Sequence, residues 1–226
     1  MEYFTLKAAP NTKLWRKPPT GDIATAPIAF TSLRHPFIVA EVTITADWEL
    51  EWDQGGLVIF TGAMPQSSSS SSPSDHNRQR AGIRNLPTCK WVKAGMEFSS
   101  GTVHASSVSA TADGADWCLA PLLPERSTAS STALHSLRIK LERIGHSLCI
   151  WYRVPSDVSP FARTPGAAGN TWKKLREVGW FFYGVEDKFV HVGVYASRPN
   201  SGIWYGSGFN RESEGLVVEF EDLEIF

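Results

Sequence analysis

The chain has 226 residues, of which 42% are hydrophobic and 20% charged, with a formal net charge of −1. This composition supports a substantial core and excludes a wholly disordered chain. The Lys and Arg residues are scattered and do not form the basic stripe of a nucleic-acid binder. No run approaches the roughly 18 apolar residues that span a bilayer, and the N-terminus lacks the pattern of a signal peptide. We therefore expect one soluble, cytoplasmic domain over residues 1 to 226, without nucleic-acid or membrane partners.

Eight short segments alternate apolar and polar residues or are rich in β-branched and aromatic residues, which predicts strands. In chain order they span residues 37 to 45, 55 to 60, 90 to 98, 102 to 110, 135 to 143, 147 to 153, 189 to 197 and 216 to 226. The IGH sequence between the fifth and sixth predicts a hairpin turn with Gly145 in the strained position. No window sustains helical periodicity beyond two turns, so the pattern predicts an all-β fold with two antiparallel sheets packed as a sandwich.

Three segments rich in small and polar residues interrupt these strands, at residues 65 to 88, 120 to 133 and 155 to 170. The first contains a run of serines and cannot bury enough apolar surface to offset its ordering entropy. We predict that it is a flexible insertion between neighbouring strands rather than a linker between domains. Long loops on a rigid sandwich are common sites of specificity.

Two predicted strands place a glycine between polar side chains on the face that is turned away from the core. In KWVKAGMEF, Trp91, Lys93, Gly95 and Glu97 share one face because side chains alternate along a strand. Gly95 would leave a shallow gap in which a ligand lies close to the backbone. The alternative is a solvated face with a charge pair.

The strand FVHVGVYAS repeats this arrangement, with His191, Gly193 and Tyr195 on one face. A single histidine on a strand is more often structural than catalytic. His191 together with Tyr195 in one groove makes a stronger candidate for a site.

Six short motifs occur in one order along the chain. They are WDQGGL (52 to 57), WVKAGMEF (91 to 98), Asp116-Trp117, LRIKLERIGHSLCIWY (137 to 152), WKKLRE (172 to 177) and VGVYASRP (192 to 199). Together they resemble the DUF1349 family, which includes fungal and bacterial proteins called regulation of enolase protein, in the concanavalin A-like lectin/glucanase superfamily. The resemblance implies a two-sheet jelly roll with a curved sheet whose concave face is the usual ligand groove. It carries no established catalytic mechanism.

If DWELEWDQGGL were a strand, the side chains of Glu49, Glu51 and Asp53 would project from the same face, because they occupy every second position. Their backbone spacing of about 6.8 Å permits the carboxylate separations of glycosidases. Their order differs from the Glu-x-Asp-x-Glu of laminarinase-type glucanases, so Glu49 and Glu51 are interpreted as a solvated strand end. Asp53, beside Gln54, is a candidate to bind a ligand hydroxyl, to support Lys93 or to act as a base.

Two arginines are further candidates for ligand contacts. Arg138 alternates with apolar neighbours, and the sheet to which it belongs decides whether it lines the groove or the convex surface. Arg176 would make either a bidentate anion contact or a surface salt bridge. The histidine spacing and the three separate cysteines match no metal-site pattern, so we predict no metal and no cofactor.

Our leading hypothesis is a lectin-like sandwich that binds a carbohydrate or small metabolite in this groove. Trp91 and Trp117 would supply flat apolar contacts, and the other ligand-binding candidates are Gln54, Tyr195, Arg138 and Arg176. The first alternative is an enzyme, either a glycan hydrolase or lyase or a fungal secondary-metabolite isomerase or cyclase. The catalytic candidates are Asp53, Glu97 and His191 as acid or base and Lys93 for charge stabilisation. The second alternative is a regulatory module whose loops contact a protein partner.

Overall fold

The structure is a computed structural model that describes residues 3–18, 21–62, 89–122, 134–155, 171–185, 188–201 and 214–226. These ranges contain fourteen strands and no helix. The strands are β1 (Tyr3–Ala8), β2 (Leu14–Lys17), β3 (Gly21–Ala24), β4 (Ile28–Ser32), β5 (Val39–Ala46), β6 (Gln54–Thr61), β7 (Lys90–Ser99), β8 (Thr102–Thr111), β9 (Gly114–Pro121), β10 (Ser136–Ile144), β11 (Ser147–Arg153), β12 (Lys173–Val178), β13 (Val190–Ser197) and β14 (Leu216–Ile225).

Two six-stranded antiparallel sheets and a two-stranded ribbon make up the described fold. Sheet I has the order β1-β14-β5-β10-β11-β12, and sheet II has the order β4-β13-β6-β7-β8-β9. The ribbon is the antiparallel pair β2-β3. The prediction of an all-β, antiparallel two-sheet sandwich is confirmed.

The main core lies between the two sheets and follows the alternation of the strands. In β5, the residues from Ala40 to Ala46 alternate between buried and partly exposed side chains. In β6 every residue is buried, because Leu57 and Ile59 join the main core while Val58 and Phe60 pack in a second cluster on the opposite face. Sheet II therefore buries side chains on both faces along this strand.

The second cluster lies between the ribbon and the outer face of sheet II, which is the face turned away from sheet I. Leu14 of the ribbon packs there with Val58, Phe60, Trp91 and other apolar residues of sheet II. The ribbon thus covers one part of the outer face.

All eight predicted strands are present, and the turn at Gly145 has the expected positive φ of 60°. Strands β1 to β4, β9 and β12 were not predicted from the sequence. The stretch with the alternating acids is not a strand: residues 47 to 53 contain no strand, and Trp52 has a φ of 68°. The interpretation of Glu49 and Glu51 as a solvated strand end is therefore not supported.

The predicted insertion at residues 65 to 88 lies outside the described residues, as do most of the segments 120 to 133 and 155 to 170. The single-domain organisation stays a prediction. In the part of the chain that the structure describes, no helix has the length and apolarity needed to cross a membrane.

Candidate functional site

Polar side chains from five neighbouring strands converge on the outer face of sheet II. The strand register places Glu97 between Gln54 of β6 and His104 of β8. We call the whole set the Lys93–Glu97 cluster; its members are Gln54, Lys93, Glu97, His104, Ser106, Trp117 and Tyr195.

Lys93 is a buried amine with no carboxylate partner among the described residues. Its side chain is 3% exposed, and Nζ donates to Gln54 Oε1 at 2.6 Å and lies 5.3 Å from the centre of the Tyr195 ring. Burial lowers the pKa of Lys93 to about 8, an effect that the charge of Glu97 partly opposes. The amine therefore titrates near physiological pH.

Glu97 is a buried carboxylate with one oxygen bound and one oxygen free. It is 1% exposed, and Oε2 accepts a hydrogen bond from Ser106 Oγ at 2.5 Å and from Trp117 Nε1 at 3.1 Å. Oε1 is buried and has no hydrogen-bond partner within the described ranges. Because a buried carboxylate oxygen is costly to leave unpaired, this oxygen marks a place where a donor from a ligand would be favourable.

His104 presents a second buried atom without a partner in the described residues, next to Glu97. Its Nδ1 is also buried without a hydrogen-bond partner in the described part of the chain, and His104 lies directly opposite Glu97 in the pairing of β7 with β8. Side chains in such pairs start only about 5 Å apart. Of the five buried side-chain atoms without a partner in the described residues, two thus belong to one cross-strand pair.

Tyr195 forms one wall of the cluster and is 1% exposed. Burial raises the pKa of its phenol well above the usual value, and the negative charge of Glu97 adds to this effect. The phenol therefore stays protonated, and its ring faces the ammonium group of Lys93.

Two glycines form the floor that the Lys93 side chain crosses to reach Gln54. Gly56 and Gly95 lie opposite each other on β6 and β7. A Cβ on Gly95 would lie 1.9 Å from the carbonyl oxygen of Gly55, which belongs to the backbone of the next strand. The close strand packing therefore requires glycine here, and the absence of side chains leaves the floor flat.

Comparison with known proteins places this chain in a family. The family model described as "Protein of unknown function (DUF1349)" matches residues 2–226. The chain belongs to the DUF1349 family. The resemblance to this family seen in the sequence is confirmed, and the two-sheet antiparallel sandwich that it implies is present.

One relative and two solved structures show how far the DUF1349 chain resembles other proteins. "Uncharacterized protein AN7484" of Emericella nidulans is 30% identical over 220 residues, covering 97% of this chain and 87% of the relative. A functionally unknown protein from Saccharomyces cerevisiae has a TM-score of 0.59 at 19% identity, covering 99% of this chain and 87% of that chain. The GH43 protein BlXynB from Bacillus licheniformis has a TM-score of 0.54 at 12% identity, covering 96% of this chain and 31% of that chain. At these identities the two structures show the fold alone.

Asp53 does not join the cluster of this DUF1349 protein. Its carboxylate is fully buried and binds Arg198 through Nε at 2.9 Å and Nη2 at 2.7 Å. It also accepts the backbone N–H groups of Glu49 and Leu50 at 3.2 and 3.0 Å. The structure does not support the predicted roles as base or ligand contact, because Oδ1 is bound by Arg198 and Oδ2 by Arg198 and the turn that precedes β6.

Trp91 is also placed differently from the prediction. It is fully buried beneath the ribbon, where its Nε1 donates to Asp22 Oδ1 at 3.1 Å and Arg16 lies over its ring. The predicted ligand contact is wrong because the ribbon covers this ring. Trp117, by contrast, is 43% exposed and donates to Glu97, so it remains available to a ligand.

His191 lies on the same sheet face but has both ring nitrogens occupied. Nε2 lies 3.0 Å from the carbonyl oxygen of Gly62, and Nδ1 lies 2.7 Å from Ser32 Oγ. Since a carbonyl only accepts, Nε2 carries the proton and Nδ1 accepts from the serine. The ring stacks on Phe60 at 4.7 Å, so His191 has a structural role and not the predicted catalytic one.

The two candidate arginines lie outside the cluster. Arg138 belongs to β10 of sheet I and binds Glu41 at 3.1 Å, so it lies on the opposite sheet from Lys93. Arg176 of β12 binds the carboxylate of Asp116 on β9, which joins an edge of sheet I to an edge of sheet II. The surface salt bridge, rather than the anion contact, is the alternative that the structure supports.

His104 and Ser106 were not predicted from the sequence as members of the cluster. A signal was present in the Ser100-Gly101 pair between the two strands, a dipeptide typical of turns, and in the structure both residues have positive φ, at 53° and 77°. A two-residue hairpin turn of this kind fixes the register of the strands that it joins. That register places His104 opposite Glu97 and Ser106 opposite Gly95. Within the described ranges, no group of three or more His, Cys, Asp or Glu residues is arranged to hold a metal ion.

Proposed function

We propose that the Lys93–Glu97 cluster binds a small polyhydroxylated molecule, with carbohydrate as the leading class. The observation that carries this proposal is the buried Oε1 of Glu97, which has no partner among the described residues. A ligand hydroxyl that donates to this oxygen would satisfy it, and the free protons of the Lys93 ammonium would donate to a neighbouring hydroxyl oxygen.

The chemistry of the remaining cluster supports this class of ligand. Sugars present hydroxyls that both donate and accept, beside apolar faces that pack on aromatic rings. Trp117 combines a half-exposed ring with a fixed N–H group, and His104 Nδ1 provides a further polar contact. The similarity to the GH43 protein supports the fold only, since function resides in the site and not in the architecture.

The test is a thermal-shift screen of the wild type against sugars, sugar phosphates and other small metabolites, repeated with Glu97→Gln. The glutamine oxygen keeps the bonds from Ser106 and Trp117, whereas its N–H₂ group replaces the free acceptor with a donor. We expect a ligand-dependent rise in Tm in the wild type and a loss of affinity of about tenfold or more in the variant.

Glu142→Gln is the matched control. Glu142 is a partly exposed carboxylate on sheet I, paired with Lys140 at 3.6 Å, so its loss should leave the shift unchanged. A screen in which no compound raises Tm would contradict the proposal. Equal shifts in the wild type and Glu97→Gln would place the ligand elsewhere.

A second candidate function is catalysis at the same cluster. The observation that favours it is the combination of the Lys93 amine, whose pKa burial lowers to about 8, with the carboxylate of Glu97. Groups that titrate near the working pH are suited to proton transfer. Conversion of a compound that binds in the screen, abolished by Glu97→Gln, would establish this function.

A further inference from the structure

Lys93 is held differently from the ion-paired lysines of the same protein. Lys140 and Lys174 each pair with a glutamate close in sequence, at 3.6 and 2.5 Å. Lys93 instead contacts a neutral amide oxygen, that of Gln54, and the face of the Tyr195 ring. Neither partner carries a negative charge that would hold the amine in its protonated form.

This environment makes the amine of Lys93 available as a nucleophile. A pKa of about 8 leaves about one tenth of the Lys93 side chains neutral at pH 7, against about one in a few thousand for an ordinary lysine. Lysines that are desolvated in this way are the ones that form Schiff bases with carbonyl compounds.

We propose that Lys93 forms a reversible imine with an aldehyde ligand, of the hydroxyaldehyde class that includes the open-chain forms of reducing sugars. The inference rests on the proposed function, because it uses the same cluster and the same hydroxyl contacts. It adds the reacting atom, Lys93 Nζ, and the reactive group of the ligand.

The reaction needs only the amine and the aldehyde. The lone pair of Nζ attacks the carbonyl carbon, and the π electrons of the C=O bond move to oxygen, which takes a proton. The resulting carbinolamine loses a proton from nitrogen and its hydroxyl leaves as water once protonated, so a C=N bond replaces the C=O bond. No electron is gained or lost overall.

Other members of the cluster are placed to assist these steps. Glu97 lies on the same strand face as Lys93, and its free Oε1 can accept the proton released from nitrogen or hold a hydroxyl of the aldehyde. The glycine pair Gly56 and Gly95 lies between the two residues in the strand register and places no side chain of its own between them.

The test uses glycolaldehyde, a two-carbon hydroxyaldehyde, with the full-length protein at neutral pH and cyanoborohydride to reduce any imine to a stable secondary amine. Peptide mass mapping then gives the rate of modification at each lysine. We expect Lys93 to be modified at least about tenfold faster than the exposed Lys7 and Lys13, because burial leaves more of the Lys93 amine neutral than in an ordinary lysine.

Two variants sharpen the result. Lys93→Arg keeps the positive charge but should abolish the rapidly formed adduct, whereas Lys140→Arg should leave the labelling of Lys93 unchanged. If Lys7 and Lys13 of the wild type were modified while Lys93 stayed unmodified, the inference would be overturned without the need for any variant.

The screen for sugar binding and the labelling experiment test the two proposals separately, so one proposal can be wrong while the other stands. Sugar binding lost in Glu97→Gln, together with an unmodified Lys93, would overturn the imine and leave the proposed function standing. Rapid labelling of Lys93 without binding of any sugar would contradict the carbohydrate proposal and support a reactive amine for small aldehydes.

Discussion

The outer face of sheet II has two regions that both bury charge and that use it differently. Beneath the ribbon, Arg16 binds both oxygens of Asp22 at 2.7 Å and donates to the backbone carbonyls of Cys89 and Thr111 at 2.8 and 2.9 Å. Trp91 completes the network by donating to Asp22. In the Lys93–Glu97 cluster, one carboxylate oxygen and one imidazole nitrogen have no partner among the residues that the structure describes.

The comparison shows that burial of a charged residue does not by itself indicate a functional site. A buried pair whose donors and acceptors are all used holds two elements in a defined geometry. A buried group with an unused oxygen or nitrogen carries a desolvation cost that an external partner can relieve. Unused hydrogen-bonding capacity, and not charge, separates the candidate site from the structural network.

The largest expected effect is the loss of stability when the ribbon network is broken. Asp22→Ala leaves the guanidinium of Arg16, 1% exposed, without its carboxylate. Removing one partner of a buried pair typically costs about 3–5 kcal/mol of unfolding free energy. Urea unfolding of the variant and the wild type measures this difference.

Glu41→Ala is the control for this change, because it breaks the partly exposed pair of Glu41 with Arg138. Such pairs contribute less than about 1 kcal/mol. Similar losses in the two variants would show that the ribbon network is not held by its buried charge, and the contrast between the two regions would fail.

The next prediction concerns the cost of burying the Lys93 amine. The pKa of Lys93 is about 8 in the folded protein, against 10.5 for an ordinary lysine, so between these pH values the unfolded chain binds a proton that the folded chain does not. Stability should therefore rise with pH across this window, by about 3 kcal/mol in total from this group. Lys93→Met should lack that rise.

The measurement is the difference in unfolding free energy between the wild type and Lys93→Met across the same pH window. Tyr195 also titrates at alkaline pH, but it is present in both proteins and its contribution is largely removed in the difference. A difference that stays constant with pH would show that Lys93 keeps an ordinary pKa, which would weaken both proposals for the cluster.

Alternation along the strands accounts for what the sequence predicted correctly. It placed Lys93 and Glu97 on one face of β7 and Tyr195 on the matching face of β13. It could not show what covers that face. The ribbon consists of two four-residue strands, LWRK and GDIA, which are too short to show a periodic pattern, so the burial of Trp91 was not foreseen.

Asp53 was grouped with Gln54 as a candidate site residue for a related reason. It precedes β6 directly, and in the alternation of that strand it belongs with the core-facing Leu57 rather than with Gln54. Its partner, Arg198, lies 145 residues away in the sequence. Contacts of that separation depend on the strand order of the sheet, which local sequence patterns do not determine.

The smallest predicted effect tests a single hydrogen bond inside the cluster. Trp117→Phe keeps an aromatic ring but removes the N–H group that donates to Glu97 Oε2 at 3.1 Å, while Ser106 still donates to the same oxygen. We expect a loss of about 1 kcal/mol in urea unfolding, as for one hydrogen bond. Trp52→Phe is the control, since this exposed ring should change stability by less than about 0.5 kcal/mol. If both variants were equally stable, the bond from Trp117 would contribute nothing to holding Glu97, and the orientation of its free oxygen would depend on Ser106 alone.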